Sequence, residues 1–120
     1  MENLENKKYI FLIDADGTLV KDGTKVINSK IVGKIKFLKS KGHKFVIATG
    51  RVLNDVTSIK DAEIFDYYAV LMGDYIFDSK TLNILQSLEY LSKDTVKKLA
   101  TYLDDNNIYW SYKTAISQKS

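Results

Sequence analysis

Two aspartates, Asp14 and Asp16, follow a run of apolar residues and directly precede Gly17-Thr18. An ionised carboxylate attacks phosphorus without prior deprotonation, which suits Asp14 to the role of nucleophile. Asp16 beside it can exchange a proton with the leaving and attacking oxygens. Two carboxylates this close repel each other. A bound cation relieves the repulsion, and hard oxygen ligands favour Mg²⁺. Thr18 and Thr49 offer hydroxyls to phosphoryl oxygens, and Arg51 offers a fork of donors. Gly17 permits a sharp turn after the apolar run. Taken alone, Asp-x-Asp is as readily a solvated turn closing a strand.

The elements that position these residues can be read from pattern. Tyr9 to Ile13 is a buried strand stopped by Asp14-Ala15-Asp16-Gly17. Asp22-Gly23 signals a hairpin turn. Ser29 is placed to cap a helix running through Lys41, with Ile31, Val32, Ile35 and Leu38 at helical spacing and Gly42 just past its end. Phe45 to Ala48 is a second strand, stopped by Thr49-Gly50-Arg51. A helix from Leu53 to Ala62 and a third strand from Tyr68 to Met72 follow. Strand, helix, strand, helix, strand implies a parallel sheet carrying helices. Ligands of such sheets bind outside the carboxyl ends of the strands. Asp14, Asp16, Thr49, Gly50, Arg51 and Asp74 all fall there.

The last third changes character. Tyr75 to Phe77 and Leu82 to Leu88 flank Asp78-Ser79-Lys80-Thr81 as a hairpin. Ser92 caps a helix with Val96, Leu99, Ala100 and Leu103 on one face. Ile108 to Tyr112 reads as a further strand, and Ser117 to Ser120 as a polar tail.

Phe11-Leu12-Ile13-Asp14-Ala15-Asp16-Gly17-Thr18-Leu19 resembles the first motif of the haloacid dehalogenase (HAD) superfamily. Val46-Ile47-Ala48-Thr49-Gly50-Arg51 resembles its second. In detail the chain is similar to the Cof-type HAD phosphatases, from about Lys8 to Tyr112. The resemblance implies an α/β fold: a Rossmann-like core with a parallel sheet, residues 1–80, and an incomplete α+β cap, residues 81–120. It implies phosphomonoester hydrolysis in two steps. Asp14 attacks the ester to form an aspartyl-phosphate. Asp16 protonates the departing alcohol and then activates water. Mg²⁺ is held by the Asp14 carboxylate and the Asp16 backbone carbonyl. Thr49 hydrogen-bonds the phosphoryl group, the backbone at Gly17 and Gly50 cradles it, and Arg51 binds substrate or braces the loop. Phosphosugar mutases and sugar-phosphate phosphatases share this start, so a small sugar phosphate is the expected substrate.

The family also uses a Lys and an acidic pair, which in Cof-type proteins come after the cap. The expectation is the N-terminal part of a longer protein or a natural truncation, with unpaired sheet edges that favour self-association. Leu103-Asp104-Asp105 reads as a solvated helix end rather than the acidic pair. Met72-Gly73-Asp74 stands where the family has Asn-Gly-Ala, and Asp74 reads as a surface residue rather than a metal ligand. Lys21 reads as a surface lysine rather than a surrogate for the missing Lys.

Composition narrows the alternatives. The 120 residues suit one domain or part of a larger one. With 18 basic and 15 acidic side chains the net charge is +3, too mild for a nucleic-acid arm. No apolar run reaches membrane length, and Met1 to Lys8 lacks the apolar core of a signal peptide. There is no Cys, so disulfides and thiolate metal sites are excluded. No nucleic-acid partner, no membrane partner and a cytoplasmic location are therefore expected. His43 reads as solvated surface, and the lysines between Lys30 and Lys44 as a solvated helix face. Tyr109, Trp110 and Tyr112 are aromatics that pack in a cap sheet or, exposed, drive dimerisation. Two functions remain: a Mg²⁺-dependent phosphatase, or a catalytically incompetent module that binds phosphate or metal or self-associates.

Overall fold

Short apolar runs make the central strands, and strand pairing gathers them into one sheet. The computed structural model describes residues 7–88 and 91–119. The expected polar start at residues 1–6 and the last residue of the expected tail lie outside them. β1 (Ile10–Asp14) runs parallel to β2 (Lys44–Ala48), and β2 parallel to β3 (Tyr67–Val70). The chain then turns antiparallel through β4 (Tyr75–Asp78) and β5 (Ile84–Ser87). Sheet order follows chain order, β1 to β5. The α/β architecture is the one the alternating elements imply.

Right-handed crossovers between strands added in one direction place successive helices on the same face. Helix α1 (Ser29–Ser40) supplies Val32 and Ile35 to the core, and α2 (Leu53–Thr57) supplies Leu53 and Val56. They meet Phe45, Ile47, Tyr68, Val70 and Phe77, with Phe11 and Ile13 packed at the margin. Phe65 and Ile47 are fully buried at its centre.

Several boundaries differ from expectation. The cap of α1 is Asn28, whose side chain accepts from the Lys30 amide at 2.8 Å, rather than Ser29. Asn and Ser are comparable caps. Gly42 does follow the helix, at φ +93°. α2 stops at Thr57, short of Ala62, because the Thr57 and Ser58 hydroxyls donate to the Asn54 and Asp55 carbonyls and compete with helix propagation. A separate 3₁₀ turn then covers Ala62–Ile64. β3 ends at Val70, since Leu71 and Met72 adopt positive φ.

The Ser92 cap holds: its Oγ accepts from the Thr95 amide, opening α3 (Lys93–Asp105). Ile108 to Tyr112 does not form the expected strand. Ile108 donates its amide back to Leu103, and Trp110 Nε1 donates to Asp104, so these residues close the helix end. Only β6 (Tyr112–Lys113) pairs, with β7 (Gln118–Lys119), where a polar tail was expected. His43 is half-buried rather than solvated: its Nδ1 accepts from the Tyr9 amide at 3.0 Å, and its ring stacks on Tyr9.

Candidate active site

Strand register brings the two sequence motifs to one end of the sheet. Asp14 pairs with Ala48, so the chain after Asp14 and the chain after Ala48 leave the same edge side by side. Beyond Asp14 the backbone folds tightly around the Ala15 carbonyl, which accepts from the Thr18, Leu19 and Val20 amides. Gly17 donates to the Val20 carbonyl at 2.8 Å and sits at φ +76°, where a side chain is strained. Ala15 is fully buried as the floor of this loop, while Asp14, Asp16, Gly17 and Thr18 face solvent. The Gly17 and Thr18 amides are thus committed within the loop. Their service to a ligand rests on loop shape and on the Thr18 hydroxyl.

The second loop is held more firmly. The Thr49 amide donates to Ala69 O at 2.9 Å, and Thr49 O accepts from Met72 at 2.8 Å. The Arg51 carbonyl accepts from Leu71 at 3.1 Å, and the Arg51 amide donates to Thr49 Oγ1 at 3.1 Å. Thr49 is the one buried polar side chain among the described residues, and its hydroxyl proton remains to be donated elsewhere. The positive-φ turn at Leu71 and Met72 that clamps this loop was missed in the sequence. Its one local signal is Gly73, the residue after Met72, at φ +95°.

Arg51 joins the loops. Its Nε donates to Asp16 Oδ2 at 2.9 Å and its Nη2 to Asp16 Oδ1, a bidentate pair. These hydrogen bonds hold the Asp16 carboxyl below the usual carboxylate range, and they raise Arg51 in turn. Asp14 makes no ion pair among the described residues, which leaves its carboxylate available.

Asp74 caps the turn after β3, exposed, with its carbonyl accepting from Leu88. Lys21 is exposed as well. It lines a cavity of about 400 Å³ with Gly17, Thr18, Val26, Asn28 and Ile31; neither Asp14 nor Asp16 is among the lining residues.

No group of three or more His, Cys, Asp or Glu side chains converges among the described residues. Closed sites for Zn²⁺ or Ca²⁺ call for more ligands. Mg²⁺ is commonly held by one or two carboxylates plus substrate phosphate and water. The loop amides donate to Asp14, Ala15 and Val20 carbonyls and leave the Asp16 carbonyl unclaimed. That oxygen and the Asp14 carboxylate fit a Mg²⁺ ion.

Comparison with known proteins followed the same residues. The family model described as haloacid dehalogenase-like hydrolase matches residues 11–117. A protein of Buchnera aphidicola subsp. Schizaphis graminum named "Putative phosphatase" is 30% identical over 117 residues, covering 82% of this chain and 42% of that protein. Among solved structures, a sugar phosphatase of HAD subclass IIB superposes with a TM-score of 0.64 at 26% identity, covering 91% of this chain and 42% of that one. A hypothetical protein from Geobacillus kaustophilus HTA426 shares the fold with a TM-score of 0.72 at 24% identity, covering 93% of this chain and 41% of that one. The chain thus spans about two fifths of the length of the proteins it matches.

Proposed function

The chain belongs to the haloacid dehalogenase-like hydrolase family, and from that premise we propose that it carries the nucleophile and phosphate-binding half of a phosphomonoester hydrolase acting on a small sugar phosphate or similar metabolite. The observation that carries this reading is the arrival of Asp14, Asp16, Thr49 and Arg51 at one end of the sheet through the β1–β2 register. The sugar phosphate is suggested by the subclass IIB relative.

In the proposed reaction an Asp14 carboxylate oxygen attacks phosphorus, and the bond from phosphorus to the ester oxygen breaks. Asp16 delivers a proton to the departing alcohol. Water then attacks phosphorus of the aspartyl-phosphate while Asp16 takes its proton, releasing phosphate and restoring Asp14. The Thr49 hydroxyl and Arg51 hold the phosphoryl oxygens, with Thr18 at the mouth of the loop. Mg²⁺, held by the Asp14 carboxylate and the Asp16 carbonyl, would neutralise charge between carboxylate and phosphate. The residues of the cap, 81–120 on this reading, would face the substrate's remainder. No helix among the described residues is long and apolar enough to cross a membrane. A small phosphorylated metabolite in the cytoplasm, and a second copy of the chain, are the proposed partners.

The test is hydrolysis of p-nitrophenyl phosphate by the purified chain, with and without Mg²⁺, beside Asp14→Asn. Turnover is expected to require Mg²⁺, to stop on chelation, and to vanish in the variant. A folded chain that shows no turnover above the variant would replace the enzyme reading with the phosphate-binding module.

A further inference from the structure

The Arg51 guanidinium is the anchored member of its pair with Asp16. Its side chain is 16% exposed against 42% for Asp16. Its backbone is pinned from both sides, by Thr49 Oγ1 at the amide and by Leu71 at the carbonyl. Asp16, by contrast, rises from a tight loop into solvent with the Arg51 fork as its side-chain partner. Two parallel N–H···O bonds to a pair of acceptor oxygens are also how a guanidinium grips phosphate. The Nε–Nη2 edge of the guanidinium has one seat, now taken by a carboxylate of the same chain. A phosphoryl dianion brings twice the charge to that seat. It can also accept the Thr49 hydroxyl proton, which the chain leaves free on the same loop.

We propose that Asp16 is a built-in competitor for the phosphate site: its carboxylate sits on Arg51 in place of a phosphoryl group, and an entering phosphoryl group takes the fork and releases Asp16. This rests on the reading of the site as one for phosphoryl transfer, and it adds a coupling that the reading alone does not contain. Arrival of the phosphoryl group is what frees Asp16 to turn toward the ester oxygen. The proton-transfer group is engaged elsewhere until there is a substrate for it. The apparent affinity for phosphate is lowered by the fraction of chains in which the fork is occupied.

Removing the competitor must then tighten phosphate, although Asp16 belongs to the proposed machinery. The experiment is calorimetric titration with inorganic phosphate at one pH and ionic strength, with folding of each variant checked by circular dichroism. Asp16→Ala, and Asp16→Asn as a second variant of closer shape, are expected to bind phosphate about five- to tenfold more tightly than the unsubstituted chain. That is the size of a charge-assisted hydrogen-bonded pair discounted for its exposure. Loss of any nearby negative charge favours an anion somewhat, so Asp55→Asn is the control. Asp55 acts on Arg51 through space, and its removal is expected to change affinity less than about twofold. In an Arg51→Gln background the gain from Asp16→Ala is expected to disappear, which is the coupling a double-mutant cycle reads.

Unchanged or weaker phosphate binding in both Asp16 variants overturns the proposal, as does a gain that persists without Arg51. If the chain hydrolyses p-nitrophenyl phosphate while either of those results holds, the competitor falls and the phosphatase reading stands. If no form binds phosphate, the unmasked fork included, both fall.

Discussion

Tyr68 sends its hydroxyl into the core, where the Ala62 carbonyl accepts it at 3.0 Å. Burial pushes this phenol up from its usual value near 10 to about 12. A folded value above the unfolded one means that the neutral form stabilises the fold. The contribution is complete below pH 10 and is lost as pH rises from about 10 through 12. Tyr68→Phe is expected to cost about 1 kcal/mol at neutral pH, the worth of one hydrogen bond. It should also remove part of the alkaline loss, on the order of 2 kcal/mol between pH 8 and 12. Urea denaturation of both proteins across that range checks this, and parallel curves would refute it. The buried tyrosine and the proposed site residues differed in how far the sequence revealed them. Asp14, Asp16, Thr49, Gly50 and Arg51 were legible because each stands where a strand must stop. The grip of Arg51 on Asp16 was not, since it joins residues 35 positions apart whose meeting depends on register.

The turn after β3 shows the same limit for elements. The sheet strands were legible as short apolar runs and the long helices through periodicity, but Leu71-Met72 reads as the end of an apolar strand and folds as a positive-φ turn. Here tertiary demand outweighs propensity: the Leu71 and Met72 amides must reach the Arg51 and Thr49 carbonyls. Met72 meets that demand at φ 58°, with 88% of its surface exposed and little packing to offset the conformation. Left-handed backbone costs an ordinary residue about 1–2 kcal/mol, and Asn much less. Met72→Asn is therefore expected to raise stability by about 0.5–1 kcal/mol and the melting temperature by a few degrees. Calorimetry is the check, and a lower melting temperature would show that Met72 packs on the Gly50 loop in a way its exposure conceals. A second hidden arrangement lies behind Arg51. α2 has no side-chain cap, and its first amides, on Leu53 and Asn54, donate to the Ala115 and Ile116 carbonyls at 2.9 Å. No local pattern announces a cap supplied from more than 60 positions away.

At the scale of the molecule, the helices α1 and α2 cover one side of the sheet. Helices and core residues gather on the face of Phe45, Ile47 and Tyr68. On the other face Ile10 and Leu12 remain 63% and 67% exposed, along a β1 edge unpaired among the described residues. Parallel sheets are normally buried on both faces, and a flat apolar edge invites pairing with another chain. Helix α3 buries none of its residues, and the Cα radius of gyration is 17.7 Å. A compact chain of this length would measure about 13–14 Å. Stability should then divide by face. Phe65→Ala, in the filled core, is expected to cost about 3–5 kcal/mol. Leu12→Lys, on the bare face, is expected to stay within about 0.5 kcal/mol. The same Leu12→Lys change should act strongly on association, because it sets a charge on the apolar edge that a second copy would cover. Sedimentation velocity over a concentration series should show the unsubstituted chain associating and Leu12→Lys remaining monomeric. If both sediment as monomers at every concentration, the bare face is tolerated in water and self-association has to be abandoned. If both associate alike, the contact lies elsewhere, and the exposed apolar stripe of α3, with Val96, Leu99 and Tyr102, becomes the surface to charge next.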